Sequence, residues 1–350
     1  MSLTSSNLFA SIIDQKLGFS FGKPKRVDEK SLTVVLPILR ERSLNRQYIT
    51  FPETEKVLVF DTGKIDQMEV DNKCDDHVFI RSGTLFKGAT QERALQRSAI
   101  VFAGKKATLE VRCVHASREI NPSASVKNGG LTPLDLDQAN YSHGYSPKDQ
   151  HTTWANVYKS TSNMSALYGG GGGSSMSAGM SREFHGTVWG GSNAPNVHGA
   201  NYFSAPTGSD DLAKHLDAFS VNFEEILSKI KRDEGQSGLA LITESGVQTI
   251  ETFDHADSWK AIHEAAVKRM GTALVTEDKE SVFEFKPENA HKMVNRVLAM
   301  DFARKNIFKH RPSNGEPSVE ITGLTAPGYV GELVEVNDQV MHLTILKRTD

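Results

Sequence analysis

The sequence is poor in cysteine: Cys74 and Cys113 are its two thiols in 350 residues, and they lack Cys-x-x-Cys spacing. That argues against a disulfide-built scaffold and a zinc knuckle, and favours a reducing compartment. Neither sign of charge is in surplus. With 40 Lys and Arg against 43 Asp and Glu, the net charge of -3 gives no electrostatic footprint for a long nucleic acid or an acidic membrane surface. Long apolar runs are missing too, since none approaches the roughly 20 residues that cross a bilayer. The opening MSLTSSNLFASIIDQKLGF has no basic segment, continuous apolar stretch or small-residue cleavage site, unlike a secretory leader. The expectation is a soluble, cytoplasmic protein with no membrane partner.

The familiar catalytic signatures are also missing. There is no His-Glu-x-x-His, so zinc chemistry has no sequence handle. Four of the twelve histidines, His143, His151, His185 and His198, fall in a Gly/Ser/Asn-rich region. No carboxylate or cysteine completes a ligand set around them, so no metal and no cofactor is expected. The glycine run Gly169 to Gly173 lacks the Gly-Lys-Ser/Thr ending of a phosphate loop and reads as linker.

What is present divides along the chain. From 31 to 114 the pattern is short and extended, with apolar runs at Leu32 to Ile38, Val57 to Phe60 and His77 to Ile80. Ala107 to Val114 alternates, with Leu109, Val111 and Cys113 on one face, which suits a half-buried strand. Residues 121–208 are dense in Gly, Ser, Asn and His and read as long loops, with one helical island at about 149–164. A helix follows, with Leu212, Leu216, Phe219, Phe223, Leu227 and Ile230 on one face behind Ser209-Asp-Asp211. Glu244-Ser-Gly246 marks a hairpin, and helices are expected from near Asp257 and from Pro287 to about Arg304. A last hairpin turns at Asn337-Asp338. The fold class is therefore α+β: a β-rich N-terminal half with a Gly/Ser-rich insertion, then helices and hairpins in the C-terminal half.

One segment stands out for chemistry. Lys87-Gly-Ala-Thr-Gln-Glu-Arg-Ala-Leu-Gln-Arg97 is polar and basic between two strand-like runs. It either turns in solvent or presents Gln91, Arg93 and Arg97 to something. Arg118 and Glu119 follow the next strand, so a strand pair could gather an amide, guanidiniums and a carboxylate at one sheet edge. Such a group suits a small phosphorylated ligand, although spacing alone favours a solvated turn.

These residues also carry a resemblance. Gly88-Ala-Thr-Gln-Glu-Arg93, Cys113-Val-His115 with Arg118, Gln150 with Trp154, and the hairpin from Gly238 to Phe253 resemble a prokaryotic family. It is the domain family associated with ADP-ribosylglycohydrolases and rhodanese/phosphatase-superfamily proteins. The chain departs from the pattern at His115, where Glu is expected, and at Glu119, where Trp is expected. The resemblance covers about 28–275. It implies an N-terminal segment at 1–27, a family-like α+β domain at 28–275 with a flexible stretch at 121–208, and an extension at 276–350. It further implies binding, and in the fuller reading processing, of an ADP-ribose- or NAD-derived ligand. Gln91, Arg93, Arg118 and Gln150 would hold that ligand, and His115 or His151 would serve as base. The alternative is a non-enzymatic, self-assembling protein that uses the Gly-rich arm and edge strands. In either case a homo-oligomer is expected.

Overall fold

The structure, a computed structural model, describes residues 19–26, 33–40, 46–88, 92–114, 125–168, 212, 224–271, 289–312 and 316–349, with backbone alone at 162–168 and 224–225. Strands β1 (Phe19–Phe21), β2 (Lys25–Arg26) and β3 (Val34–Arg40) come first. They are followed by β4 (Tyr48–Thr50), β5 (Val57–Asp61), β6 (Gln67–Asn72), β7 (His77–Ile80) and β8 (Thr84–Lys87), then β9 (Arg93–Leu95), β10 (Ala99–Val101), β11 (Lys106–Cys113) and β12 (Ser125–Leu131). Helix α1 (Leu134–Asn140), β13 (Tyr141–Ser142), β14 (Ser146–Pro147), α2 (Gln150–Tyr168) and α3 (Glu224–Lys229) lead to the hairpin of β15 (Gln236–Thr243) and β16 (Gly246–Phe253). After α4 (Ala256–Arg269) and α5 (Asn289–Leu298) come β17 (Ala303–His310), β18 (Val319–Ala326), β19 (Tyr329–Val336) and β20 (Gln339–Lys347). The protein is α+β.

Two β bodies organise these elements. A closed six-stranded barrel runs β11-β6-β5-β12-β8-β9, and a nine-stranded antiparallel sheet runs β1-β3-β15-β16-β20-β19-β18-β17, with β2 also on β3. The barrel is filled by Val57, Val59, Met68, Val70, Phe86, Leu109 and Val111, among others. The large sheet is covered on both faces. Leu36, Ala240, Ile250, Leu343 and Ile345 pack on one side against Val294, Val297 and Leu298 of α5. Leu239, Leu241, Phe253, Val334 and Leu346 lie on the other, in the core shared with Trp259, Ile262 and Ala266 of α4. Alternation along each strand sends neighbours to opposite faces, so the inner strands of this sheet are buried on both faces, while the edge strand β17 is largely exposed.

The last hairpin, β19–β20, turns at Asn337 and Asp338, both with positive φ (49° and 61°), as a tight primed turn requires. β20 pairs with β16, which sets this C-terminal hairpin in the middle of the sheet. Residues 125–147 carry a strand, a helix and a small hairpin where composition suggested loops. β12 is ordered because β5 and β8 pair with it from either side, and Leu134, Leu136, Tyr141 and Tyr145 bury themselves in the core. The helical island is α2, whose first turn Asp149 caps by accepting from the Thr152 N–H at 3.0 Å. Of the helix expected after 208, Leu212 and Glu224–Lys229 are helical, Leu212 and Ile230 are buried, and 213–223 lie outside the described residues. The helix expected over 287–304 ends at Leu298, because Ala303 onwards pairs with β18 as strand β17.

Helix α4 begins at His255, whose Nδ1 accepts from the Asp257 N–H. Two turns in, His263 lies edge-on to Trp259 at 5.7 Å. Burial, with Arg232 and Lys25 adding to it, pushes its pKa down to about 4. The folded state therefore resists a proton that the unfolded chain takes up near pH 6.5. This group's contribution is present above pH 6.5 and is lost as pH falls towards 4, by an amount on the order of 2 kcal/mol. Melting temperatures measured from pH 7 to 4 should fall less steeply in His263→Leu than in the wild type. Equal slopes would refute the assignment.

Candidate functional site

Of the residues singled out in the sequence, Arg93 and Gln150 lie at the closure of the barrel. Arg93 is fully buried and lies in the barrel with Asp61 at 3.6 Å. Its strand position pairs with Cys113, so the strand ends that flank 89–91 and 115–124 meet at one mouth of the barrel. Gln91, His115 and Arg118 lie outside the described residues. Arg97 reaches Glu110 at 3.3 Å. Gln150 acts as a substitute strand. Its side chain accepts from the Cys113 N–H at 3.1 Å and donates to the Cys113 carbonyl at 2.6 Å, past the point where the pairing of β11 with β6 ends at Glu110. His151 is exposed and edge-on to Trp154 at 5.6 Å. Gln150→Ala removes both hydrogen bonds, and a loss of about 2 kcal/mol in urea unfolding is expected. An unchanged midpoint would return this amide to the list of ligand contacts.

A different set of charges converges where the barrel meets the large sheet. Arg81, just past β7, binds the Glu251 carboxylate through Nε and through Nη2, the latter at 3.0 Å. Arg269, at the end of α4, lies 3.7 Å from Glu251 and 3.3 Å from Asp137. His342 sits 3.2 Å from Glu251 through Nε2. All of these side chains are essentially removed from solvent. Burial alone would raise the Glu251 pKa, but the charges of Arg81 and Arg269 and the His342 hydrogen bond hold it well below the usual carboxylate range. Burial lowers the His342 pKa, which favours the neutral ring, and beside the Glu251 carboxylate its Nε2–H is the donor. The ring is held between Phe79 and Phe253, at 5.2 and 4.5 Å.

Polar groups extend this cluster. Tyr145 and Ser82 share a hydrogen bond at 3.0 Å, and the Ser98 N–H donates to both oxygens of Glu332. Burial raises the pKa of Glu332 and so favours its neutral form. Arg112 is buried nearby and feels Asp137. Three guanidiniums thus face the two carboxylates of Asp137 and Glu251. The Glu332 carboxyl lies in the same buried group, where a low dielectric makes charges act strongly on one another. Arg269 adds to this picture, because none of its guanidinium nitrogens makes a hydrogen bond.

A small recess reaches this cluster. Phe51, Phe79, Leu131, Phe253 and Ile262 form its walls, Asn128 and Gly130 stand in its lining from β12, and Arg81 contributes its charge. Beside it runs a hydrogen-bond chain that ties β4 to the sheet and α4. Arg46 donates to Ser258 at 3.0 Å, Ser258 to Tyr48 at 3.0 Å, and Tyr48 to Asp254 at 2.5 Å. Burial raises the pKa of both Tyr48 and Asp254. The inward face of α4 therefore carries Ser258 beside this chain, Ile262 and Ala265 on the recess, and Arg269 in the charge cluster. No group of three His, Cys, Asp or Glu among the described residues could hold a metal ion.

A family model described as the ARG and Rhodanese-Phosphatase-superfamily-associated Protein domain, ARPP-1, matches residues 18–346. The chain belongs to this family. The ARPP-1 match extends past 275 and takes in β17 to β20, in keeping with the place of β20 beside β16. It therefore includes both the barrel mouth and the charge cluster. Neither a curated protein nor a solved structure matches the chain.

Proposed function

We propose that the protein binds a small anionic, nucleotide-like ligand of ADP-ribose or NAD-derived chemistry in the recess between the barrel, the large sheet and α4. The observation that carries this reading is the recess itself. It is apolar along its walls and ends on the guanidinium of Arg81, within a cluster of buried guanidiniums and carboxylates. Small-molecule sites typically combine apolar walls with a few convergent polar groups. The nucleotide part rests on the company named in the family's description, which is an association and fixes no reaction. Processing of the ligand would need a base, and the exposed His151 is not part of this recess.

No helix among the described residues is long and apolar enough to cross a membrane, and both cysteines are free thiols. Free thiols suit the cytoplasm, where such a ligand would be met. The test is a thermal-shift series with ADP-ribose, NAD, nicotinamide mononucleotide, AMP and inorganic phosphate. A ligand at 100 times its Kd adds roughly 2.7 kcal/mol to the folded state. Stabilisation by a nucleotide supports the reading, and no shift with any of them overturns it.

The competing reading is self-assembly through edge strands. β17 is the outer strand of the large sheet, and Phe308 on it is 48% exposed. The same strand carries Arg304, Lys305 and Lys309, so two copies pairing there would set like charges together, a common guard against edge pairing. Residues 169–200, the proposed arm, lie outside the described residues. Light scattering that showed a defined assembly, together with a flat thermal-shift series, would favour this second reading.

A further inference from the structure

We propose that the outer edge of β17 takes a short, extended, acidic peptide segment of another protein as an added strand. This surface is separate from the recess, and the proposal stands or falls without it.

The edge is open. β17 is the outermost strand of the large sheet, and β18 is its one strand partner among the described residues. In an antiparallel pair, alternate residues turn their N–H and C=O groups away from the partner strand. No described backbone group meets those of β17 on that outer side. Ala303 to Asn306, Phe308 and Lys309 are all exposed. Such an unpaired row is a template for a further strand, which main-chain hydrogen bonds would hold.

The side chains select the occupant. The run Ala-Arg-Lys-Asn-Ile-Phe-Lys-His-Arg, 303–311, carries four Lys or Arg and no acid. Glu320 neutralises Lys309 at 2.6 Å, and Glu316 engages His310 at 3.1 Å. Lys305 reaches the Ser146 hydroxyl at 3.1 Å, and neither it nor Arg304 or Arg311 has an ion-pair partner. Edge lysines repel a like strand, which excludes a second copy of β17, and the same charges attract an acidic one. Repulsion alone does not call for Phe308, which is 48% exposed on this strand and offers an added strand an apolar cross-strand contact. Ile307 is the bulged residue between the pairs Asn306–Thr322 and Phe308–Ile321. A bulge bends its strand and interrupts pairing, so the added segment lies along Ala303 to Asn306 and is short.

The test is fluorescence anisotropy on the full chain with a labelled eight-residue peptide alternating glutamate and threonine. This peptide should bind, and its counterpart alternating lysine and threonine should not. Replacing its threonines by proline keeps the charge but removes backbone donors, and should weaken binding about tenfold or more. Arg304→Glu combined with Arg311→Glu should also weaken it about tenfold. Should that double variant not fold, amide hydrogen exchange on the wild type replaces it, and the glutamate peptide should slow exchange along β17. Equal binding of the proline peptide would overturn the proposal, since charge alone would then hold it. Unprotected β17 amides, unchanged binding in the folded double variant, or no binding of the glutamate peptide would each overturn it as well. So would binding of an eight-nucleotide oligothymidylate in place of the peptide, which would make the edge a polyanion surface.

Discussion

Glu251→Ala should cost about 3 to 5 kcal/mol of folding free energy, the range for removing one partner of a buried ion pair. Glu251 binds Arg81 twice, lies 3.7 Å from Arg269 and takes the His342 hydrogen bond, all with no solvent exposure. Without it, two guanidiniums face each other in a dry interior. Glu251→Gln should lose less, because the amide oxygen still accepts from Arg81 while its NH2 group meets a donor. Guanidinium-chloride unfolding reads the difference directly, and a loss below about 1 kcal/mol for Glu251→Ala would mean that water reaches the cluster. The pH dependence carries the same signature. A carboxylate whose folded pKa lies below its unfolded value contributes stability above the unfolded value, and loses it as pH falls through the folded one. The wild type should therefore destabilise in acid below about pH 4.5, and Glu251→Gln should flatten that limb.

Gly323→Val should be nearly as damaging, at about 3 kcal/mol, the upper end for overpacking a close-fitted site. A Cβ at Gly323 in β18 would overlap the carbonyl oxygen of Gly144 and lie 2.6 Å from its carbonyl carbon. Both obstacles are backbone, so neither can rotate away. The turn His143–Tyr145 would have to lift off the sheet, and with it Tyr145, which is stacked on Tyr141 at 3.9 Å and bonded to Ser82. Near-UV circular dichroism should lose part of its tyrosine signal along with the drop in midpoint. A native spectrum and an unchanged midpoint would show that the turn has another seat.

These two sites differ in how far the sequence revealed them. The strands β3, β5, β7 and β11 are legible because apolar residues alternate or run together, and the β19–β20 hairpin because Asn337-Asp338 accepts positive φ. Glu251 is hidden by the same logic. In Val247-Gln-Thr-Ile-Glu-Thr-Phe253 a charge two places from a threonine reads as the solvent face of a half-wet strand. The clue lay next door, where Gly238-Leu-Ala-Leu-Ile242 is apolar at successive positions, a mark of a sheet covered on both faces. In such a sheet Glu251, Glu332 and His342 must find partners, and Arg81 and Ser98 supply two of them. Gln91, Arg93 and Gln150 drew attention as polar residues in strand surroundings. For Arg93 and Gln150 the structure gives a different cause: Arg93 faces Asp61 inside the barrel, and Gln150 completes the end of β11. Composition misread 125–131 because Ser-Val-Lys-Asn-Gly-Gly-Leu lacks strand formers beyond Val126 and Leu131. Its order comes from pairing on both sides, which no local preference records.

The pairing of β3 with β15 has a kinetic meaning. Ile38 lies opposite Gly238, with the whole barrel between them in the chain. During synthesis β3 must wait, with much of its apolar surface uncovered, until some 200 further residues have emerged, while the barrel strands in between can already pair among themselves. Contacts so distant in sequence close slowly, and an apolar strand left waiting is the segment a chaperone would hold. Refolding should accordingly show a fast barrel phase and a slow phase in which β3 is captured, with aggregation confined to the interval between them.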